Sequence, residues 1–274
     1  MDPAIMINDL IYVYCISDSP LGIASSLKSK RLKSIKFNDL YVIVKYVTES
    51  EFSEANFKIN LSNVQWVENN VKEHLNVIGM IMEYTEVIPL KFGTIYHTKA
   101  GLQKFITDYS ASLIENIHNI RGKEEWAVKI YCDRKMLGEQ IDQLSDVVVD
   151  LEKCIMASSP GKAFLLERKK NDLIDNEIDR LCKDYGQKYL DEFKSMSESI
   201  SLCNLLPKEY TGRSDTMILN AAFLVSKNKV SDFKWSIEML VKKDRNSGFF
   251  IEATGPWPPF NFVDFTLKQK SNET

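Results

Sequence analysis

Three histidines (His74, His97 and His118) and five cysteines (positions 15, 132, 154, 182 and 203) are the residues with which this chain could hold a metal or attack a substrate. Their spacing argues against both. A thiolate zinc site needs cysteines in close pairs such as C-x-x-C, because four ligands must converge on one ion, and no such pair occurs. H-E-x-x-H is absent as well, so no metal site is expected. An odd count of scattered cysteines also argues against a disulfide framework and for a reducing cytoplasm. His74 lies on an apolar helical stripe and reads as a satisfied core histidine. His118 sits near a helix end, where it favours the dipole.

Phosphate and acyl chemistry fare no better. Pro160-Gly161-Lys162-Ala163 resembles the end of a phosphate-binding loop. Met156, however, stands where the first glycine belongs, and Ala163 replaces the hydroxyl that would hold magnesium. Neither G-x-S-x-G nor G-x-G-x-x-G occurs, and the acidic pairs Glu124-Glu125 and Asp191-Glu192 read as solvated faces. No catalytic residue and no cofactor is therefore expected. A nucleophile assembled only in space stays open at this point, as does a ligand-binding or enzymatic module.

The totals narrow the class further. At 274 residues, with 44% hydrophobic and 27% charged residues, the composition is that of a soluble globular protein of two domains. A net charge of −3 and aromatics not interleaved with a basic patch give no footprint for nucleic acid or an anionic lipid membrane. No run approaches the roughly 18 apolar residues of a membrane span, and Met1 to Leu10 lacks the pattern of a secretory signal.

The elements that must position these side chains follow from periodicity. Asp9 to Ile16 is apolar and β-rich and stops at Ser17-Asp18-Ser19-Pro20, which predicts a strand and a turn. A short segment, Leu21 to Arg31, leads to a hairpin of Lys33–Phe37 and Leu40–Val47 about Asn38-Asp39. Glu49 to Leu61 is polar and reads as a surface connection. Ser62 and Gln65 form a capping box for a helix whose stripe is Val64, Val67, Val71, His74, Ile78 and Ile81. Beyond Pro89, Leu90–Tyr96 reads as a strand and Lys99–Ile120 as a helix. Arg121-Gly122 stops that helix and marks the domain boundary.

The second half predicts a strand at Trp126–Cys132 and a helix with Leu137, Ile141, Leu144, Val148, Leu151 and Ile155 on one face. A break at Ser158–Gly161 precedes a long helix over Lys162–Ile200. Then come a short strand at Ser201–Leu206, a strand at Thr216–Val225, a helix at Ser231–Lys242 with Phe233 and Ile237 inward, and a strand at Phe249–Ala253. Lys268–Thr274 is polar and reads as a frayed end. The fold class is α+β in two domains, 1–122 and 123–274. The order of the second is that of a modified ferredoxin-like unit with a helical insertion at 162–200.

One stretch serves no ordinary element: Gly255-Pro256-Trp257-Pro258-Pro259-Phe260. Its prolines fix φ and remove donors, so a sheet ladder is not expected to run through it. The result is a stiff hook presenting Trp257 and Phe260, which serve either as partner contacts or as core plugs. With Phe92, in a strand whose Gly93 signals a bulge, the hook residues Pro256, Trp257, Pro258, Pro259 and Phe260 are the candidate partner-binding positions.

Three stretches together resemble the gas vesicle protein F/L family. Trp66–His74 (WVENNVKEH) is similar to the family's helix with a tryptophan and a later histidine. Pro89–Thr94 (PLKFGT) resembles its P-x-[RK]-F-G-T segment, with Lys91 at the basic position. Thr254–Phe260 (TGPWPPF) resembles its T-G-P-W-P-P-Y ending, with Phe260 for tyrosine. Glu125-Trp126 and Pro160–Leu165 match more weakly. The resemblance implies two α+β domains, the second modified ferredoxin-like. It also implies a non-enzymatic accessory protein that binds the hydrophobic gas vesicle shell protein and other accessory proteins, limits shell-protein aggregation during nucleation and is a minor vesicle component.

Overall fold

In a computed structural model the protein is described at residues 9–20, 31–244 and 246–265. The predicted segment Leu21–Arg31, all but its last residue, and the predicted frayed end lie outside those residues. By contacts the chain divides into two compact units, Met1–Glu124 with Pro256–Thr274, and Glu125–Gly255.

The first unit is built on β1 (Asp9–Ser17), which pairs antiparallel with β3 (Leu40–Thr48); β3 in turn pairs with β2 (Lys33–Phe37). Asn38, in the left-handed region at φ 52°, makes the tight β2–β3 turn. On its other edge β1 pairs with two short strands, β4 (Ile88–Pro89) and β5 (Ile95–Tyr96). Gly93, at φ 81°, turns the chain between them, so of the strand expected over Leu90–Tyr96 only Ile95–Tyr96 forms, and Ile88–Pro89 pairs just ahead of it.

β1 is buried on both faces, and side-chain alternation sorts it between two cores. Ile11, Val13 and Ile16 join one cluster; Leu10, Tyr12, Tyr14 and Cys15 join the other. A register shift between Val13 and Cys15 breaks the strict alternation and puts Tyr14 and Cys15 on the same side. Helix α1 (Val64–Met82) covers the tyrosine side through Val77, Ile78 and Ile81. Helices α2 (Lys99–Asp108) and α3 (Ser110–Ile120) cover the other through Leu102, Ile106, Leu113, Ile117 and Ile120.

Three local expectations are corrected. Asn63 rather than Ser62 caps α1, its Oδ1 accepting from the Trp66 amide at 3.1 Å, and Val64 at the helix start is 80% exposed. The helix over Lys99–Ile120 breaks at Tyr109, whose ψ of 7° lies outside the helical range. The stretch Glu49–Leu61 is not a loop: it forms two helical turns, Glu49–Phe52 and Glu54–Asn60, because Phe52 and Phe57 reach back into the tyrosine-side core.

The second unit holds a four-stranded sheet in the order β7-β8-β6-β9, formed by β6 (Lys123–Cys132), β7 (Ser199–Leu202), β8 (Thr216–Ser226) and β9 (Phe249–Trp257). Its core gathers Val128 and Ile130 of β6, Phe223 and Val225 of β8, and Ile251 of β9. These meet Tyr189 and Phe193 of a long helix and Phe233 and Ile237 of a helix at Val230–Lys243.

The long helix, α5 (Pro160–Ser195), has 36 residues and pairs with α4 (Asp146–Met156), where Lys170 Nζ lies 2.6 Å from Glu152. The single helix expected over Leu137–Ile155 is three pieces, Arg134–Glu139, Ile141–Leu144 and α4. Near its C-terminal half, α5 is held by Tyr185 and Tyr189, whose hydroxyls donate to Asp244 Oδ2 at 2.6 and 2.9 Å. Tyr185 also stacks on Phe249 at 3.7 Å.

Candidate functional site

The motif residues of the first unit converge on one aromatic cluster. Phe92, from the loop between β4 and β5, lies 6.2 Å from the Trp66 ring, 5.8 Å from Phe57 and 5.9 Å from His74. Phe52 fills the gap between Tyr12 and Trp66, 5.6 Å from each. Helical spacing explains why α1 can supply both ends of this cluster, since Trp66 and His74 are eight residues and about two turns apart. Phe92 bridges them.

A hydrogen-bonded chain runs through the same residues. His74 Nε2 is 2.9 Å from the Leu90 carbonyl, which can only accept, so Nε2 carries the proton. Nδ1 is then an acceptor and takes the Tyr12 hydroxyl at 2.9 Å. The Tyr12 oxygen in turn accepts the Gly93 amide at 3.3 Å. Burial lowers the His74 pKa, against the hydrogen bond to Leu90, and so holds the ring neutral. Burial likewise raises the Tyr12 and Tyr14 hydroxyls. Both imidazole nitrogens are engaged inside the protein, so this chain of bonds fixes the Phe92-Gly93 loop against β1. Gly93 has a second reason to be glycine: a Cβ there would sit 2.5 Å from the Phe57 ring.

Beside the cluster opens a cavity of 320 Å³ lined by Tyr12, Tyr14, Arg31, Lys45, Phe52, Asn70 and Glu73. Its charges are partly matched internally, Lys45 Nζ lying 2.9 Å from Glu73.

The proline-rich hook divides into an anchored and a presented part. Pro258 and Pro259 are buried, and Phe260 packs against the tyrosine-side core together with Phe92 and Trp66. Two turn bonds, Phe260 N–H to Pro258 O at 2.7 Å and Phe262 N–H to Pro259 O at 3.2 Å, fold the chain there. Beyond them, Asn116 of α3 clasps the backbone of Asp264: its Nδ2 donates to the carbonyl at 2.6 Å and its Oδ1 accepts the amide at 3.2 Å. Ser112 Oγ adds a third bond, to the same carbonyl.

Pro256 and Trp257, in contrast, lie at the surface, and Trp257 is 41% exposed. Contrary to expectation, the strand does run through Pro256 to Trp257. β9 is an edge strand, so a residue without an N–H can stand where the outward side needs no donor. By contacts the tail from Pro256 onward groups with the first unit. The apolar anchors Phe260, Phe262, Val263 and Phe265 pack into the first unit's clusters and account for this.

Gly255, within β9, lies tight against the neighbouring strand β6. Its φ is 154°, and a Cβ would lie 2.9 Å from the Glu125 carbonyl oxygen and 2.9 Å from two atoms of the buried Trp126 indole. Any larger residue meets backbone and ring together.

Thus Phe92 and Phe260 come together in one core, Pro258 and Pro259 are buried, and Pro256 and Trp257 remain accessible. Sequence reasoning missed Tyr12, Phe52, Phe57 and Asn116 as their partners. Two phenylalanines within the otherwise polar Glu49–Leu61 stretch were the available signal for Phe52 and Phe57. In the second unit, Pro160 opens α5 as its first residue, and Phe164 and Leu165 of the weaker motif are exposed. A groove of 360 Å³ there is lined by Trp126, Lys234, Ile237, Glu238, Val241, Lys242, Ile251 and Ala253. Among the described residues no group of three or more histidine, cysteine or acidic side chains is placed to hold a metal, and no helix is long and apolar enough to cross a membrane.

Comparison with known proteins bears on this arrangement directly. Residues 10–264 match the family model described as gas vesicle synthesis protein GvpL/GvpF. Gas vesicle protein L of Streptomyces sp. (strain CB03234) is 22% identical over 262 residues, covering 93% of this chain and 92% of that protein. Gas vesicle protein F of Haloferax mediterranei is 20% identical, covering 95% and 96%. The crystal structure of the gas vesicle protein GvpF from Anabaena sp. PCC7120 superposes with a TM-score of 0.69 at 17% identity, covering 94% of this chain and all of that one. GvpF from Microcystis aeruginosa superposes with a TM-score of 0.64. The fold is shared with both.

Proposed function

The chain belongs to the GvpL/GvpF family of gas vesicle synthesis proteins, and from that membership we propose that it is a non-enzymatic accessory factor of gas vesicle assembly. In this reading it binds the hydrophobic shell protein together with other accessory proteins, limits shell-protein aggregation during nucleation and stays as a minor vesicle component in the cytoplasm. An apolar subunit needs a partner surface with exposed apolar groups until it is buried in the vesicle wall.

The observation that carries the reading is the division of the hook. Pro258, Pro259 and Phe260 are anchored, while Trp257 is 41% exposed beside the exposed Pro256 on a backbone stiffened by prolines. A rigid, half-exposed tryptophan is the kind of group that contributes most to an interface at least entropic cost. Phe92 then acts from within, supporting the cluster on which Phe260 rests. We also read the second unit as a modified ferredoxin-like domain. Counting its strands in chain order, the sheet runs 2-3-1-4, the order of a split βαβ arrangement. The helical insertion expected over 162–200 falls on α5.

The test is co-expression with the shell protein, followed by affinity recovery and quantification of the shell protein bound. Trp257→Ala is expected to lower recovery several-fold with little change in melting. Phe260→Ala is expected to lower melting first, because it removes a packed side chain. Wild-type protein that recovers no shell protein at matched expression would overturn the binding role. Unchanged recovery by Trp257→Ala would remove Trp257 from the contact.

A further inference from the structure

Two of the five cysteines, 50 residues apart in sequence, meet inside the second unit. The Cys182 thiol of α5 donates to the Cys132 sulfur, the last residue of β6, at 3.1 Å. Both are free thiols in the small core beneath the helical pair, among Leu137, Ile141, Val148, Ile178 and Phe249. The remaining cysteines differ: Cys15 is buried in the first unit, Cys154 is exposed on α4, and Cys203 is intermediate.

We propose that Cys132 and Cys182 form a site of reversible oxidation, closed by hydrogen peroxide into a disulfide that ties the long helix α5 to β6. The sulfurs are about an ångström farther apart than a disulfide requires, so closure needs a short approach of the two side chains.

The chemistry balances with peroxide as oxidant. The Cys132 thiolate attacks one peroxide oxygen, the O–O bond breaks, and hydroxide leaves and is protonated to water, giving Cys132 sulfenic acid. The Cys182 sulfur, losing its proton, then attacks the Cys132 sulfur, and the S–O bond breaks to release a second water. Two thiols lose two protons and two electrons, and one peroxide becomes two waters. Cys132 is the better first nucleophile, because the hydrogen bond from Cys182 and the nearby Arg134 guanidinium both favour its thiolate.

The test uses the full chain carrying Cys154→Ser, which removes the exposed thiol and intermolecular linkage. Peroxide is added under conditions where circular dichroism shows the fold intact. The expected product is lighter by about 2 Da, the mass of the two hydrogens lost on thiol oxidation. Non-reducing peptide mapping should join Cys132 to Cys182, and dithiothreitol should reverse the change. Closing a loop of this length should raise the melting temperature by on the order of 10 °C. Cys132→Ser and Cys182→Ser should each abolish both the mass loss and the shift. An unchanged mass, a linkage joining any other pair, oxygen added at Cys132 without linkage, or a linked protein that melts no higher would each overturn the proposal. The mass measurement and peptide map on the Cys154→Ser chain stand even if either further serine variant fails to fold.

Discussion

Replacing Gly255 by alanine is the sharpest test of how the proline hook is set. The new Cβ would lie 2.9 Å from the Glu125 carbonyl oxygen and from two carbons of the Trp126 indole. Neither partner is a flexible side-chain end: one is backbone and the other a ring that is only 7% exposed. Relieving the overlap by shifting packed groups costs about 1–3 kcal/mol, the usual range for an overfilled core. Holding an L-residue at φ 154° adds about 1–3 kcal/mol of backbone strain. The sum, about 2–6 kcal/mol, would lower the urea midpoint by about 1–3 M if m is about 2 kcal/mol/M. Unfolding followed by tryptophan fluorescence gives the value. Gly161→Ala is the control, because a Cβ there meets nothing within 4 Å; its stability should stay within about 1 kcal/mol of wild type, on the favourable side. A Gly255→Ala protein as stable as wild type would show that β9 does not run this close to Glu125 and Trp126, and the account of Gly255 would fall.

Other consequences follow from the same packing. His74 has a folded pKa below its unfolded value near 6.5, so the unfolded chain takes up the proton first. Its contribution is complete above about pH 6.5 and is lost as the pH falls through the lower, folded pKa. The urea midpoint of wild type should therefore drop more between pH 7.5 and 5 than that of His74→Gln; parallel curves would refute the linkage. Tyr12→Phe strands His74 Nδ1 and the Gly93 amide and should cost about 1–3 kcal/mol, measured in the same assay at neutral pH. Asn116→Ala removes both bonds to the Asp264 backbone. Amide exchange at Asp264 should speed up by an order of magnitude or more, while exchange in β8 stays unchanged.

Much of the scaffold was legible because short-range periodicity dictates it. β1, the β2–β3 hairpin, the long helix, β8 and the last helix arise where apolar residues recur at two or at three and four, and their bounds shift by only a few residues. The errors lie where a local signal competed with a distant partner. Glu49–Leu61 is polar enough to read as loop, yet Phe52 and Phe57 find Trp66 and Tyr12 and pull it into helical turns. The helix over Leu137–Ile155 fragments where Ser145, buried, turns its hydroxyl to Glu177 of α5 at 2.6 Å. The prolines of the hook argue locally against a strand, but the edge position of β9 removes that objection.

By itself the sequence determined the α+β class, the family and the residues that mark it, because those depend on residue type and order alone. It also showed that the hook is stiff, since proline carries its own φ. Only the tertiary structure decided what each marker does. It joined Trp66, His74, Phe92 and Phe260 through packing across up to about two hundred residues of chain, which no local pattern encodes. It buried Pro258 and Pro259 while leaving Trp257 at the surface, a split set by which side of the turn faces the core. It also brought Cys132 and Cys182 to 3.1 Å, a pair invisible in spacing because a strand end and a helix face meet only after the sheet has formed.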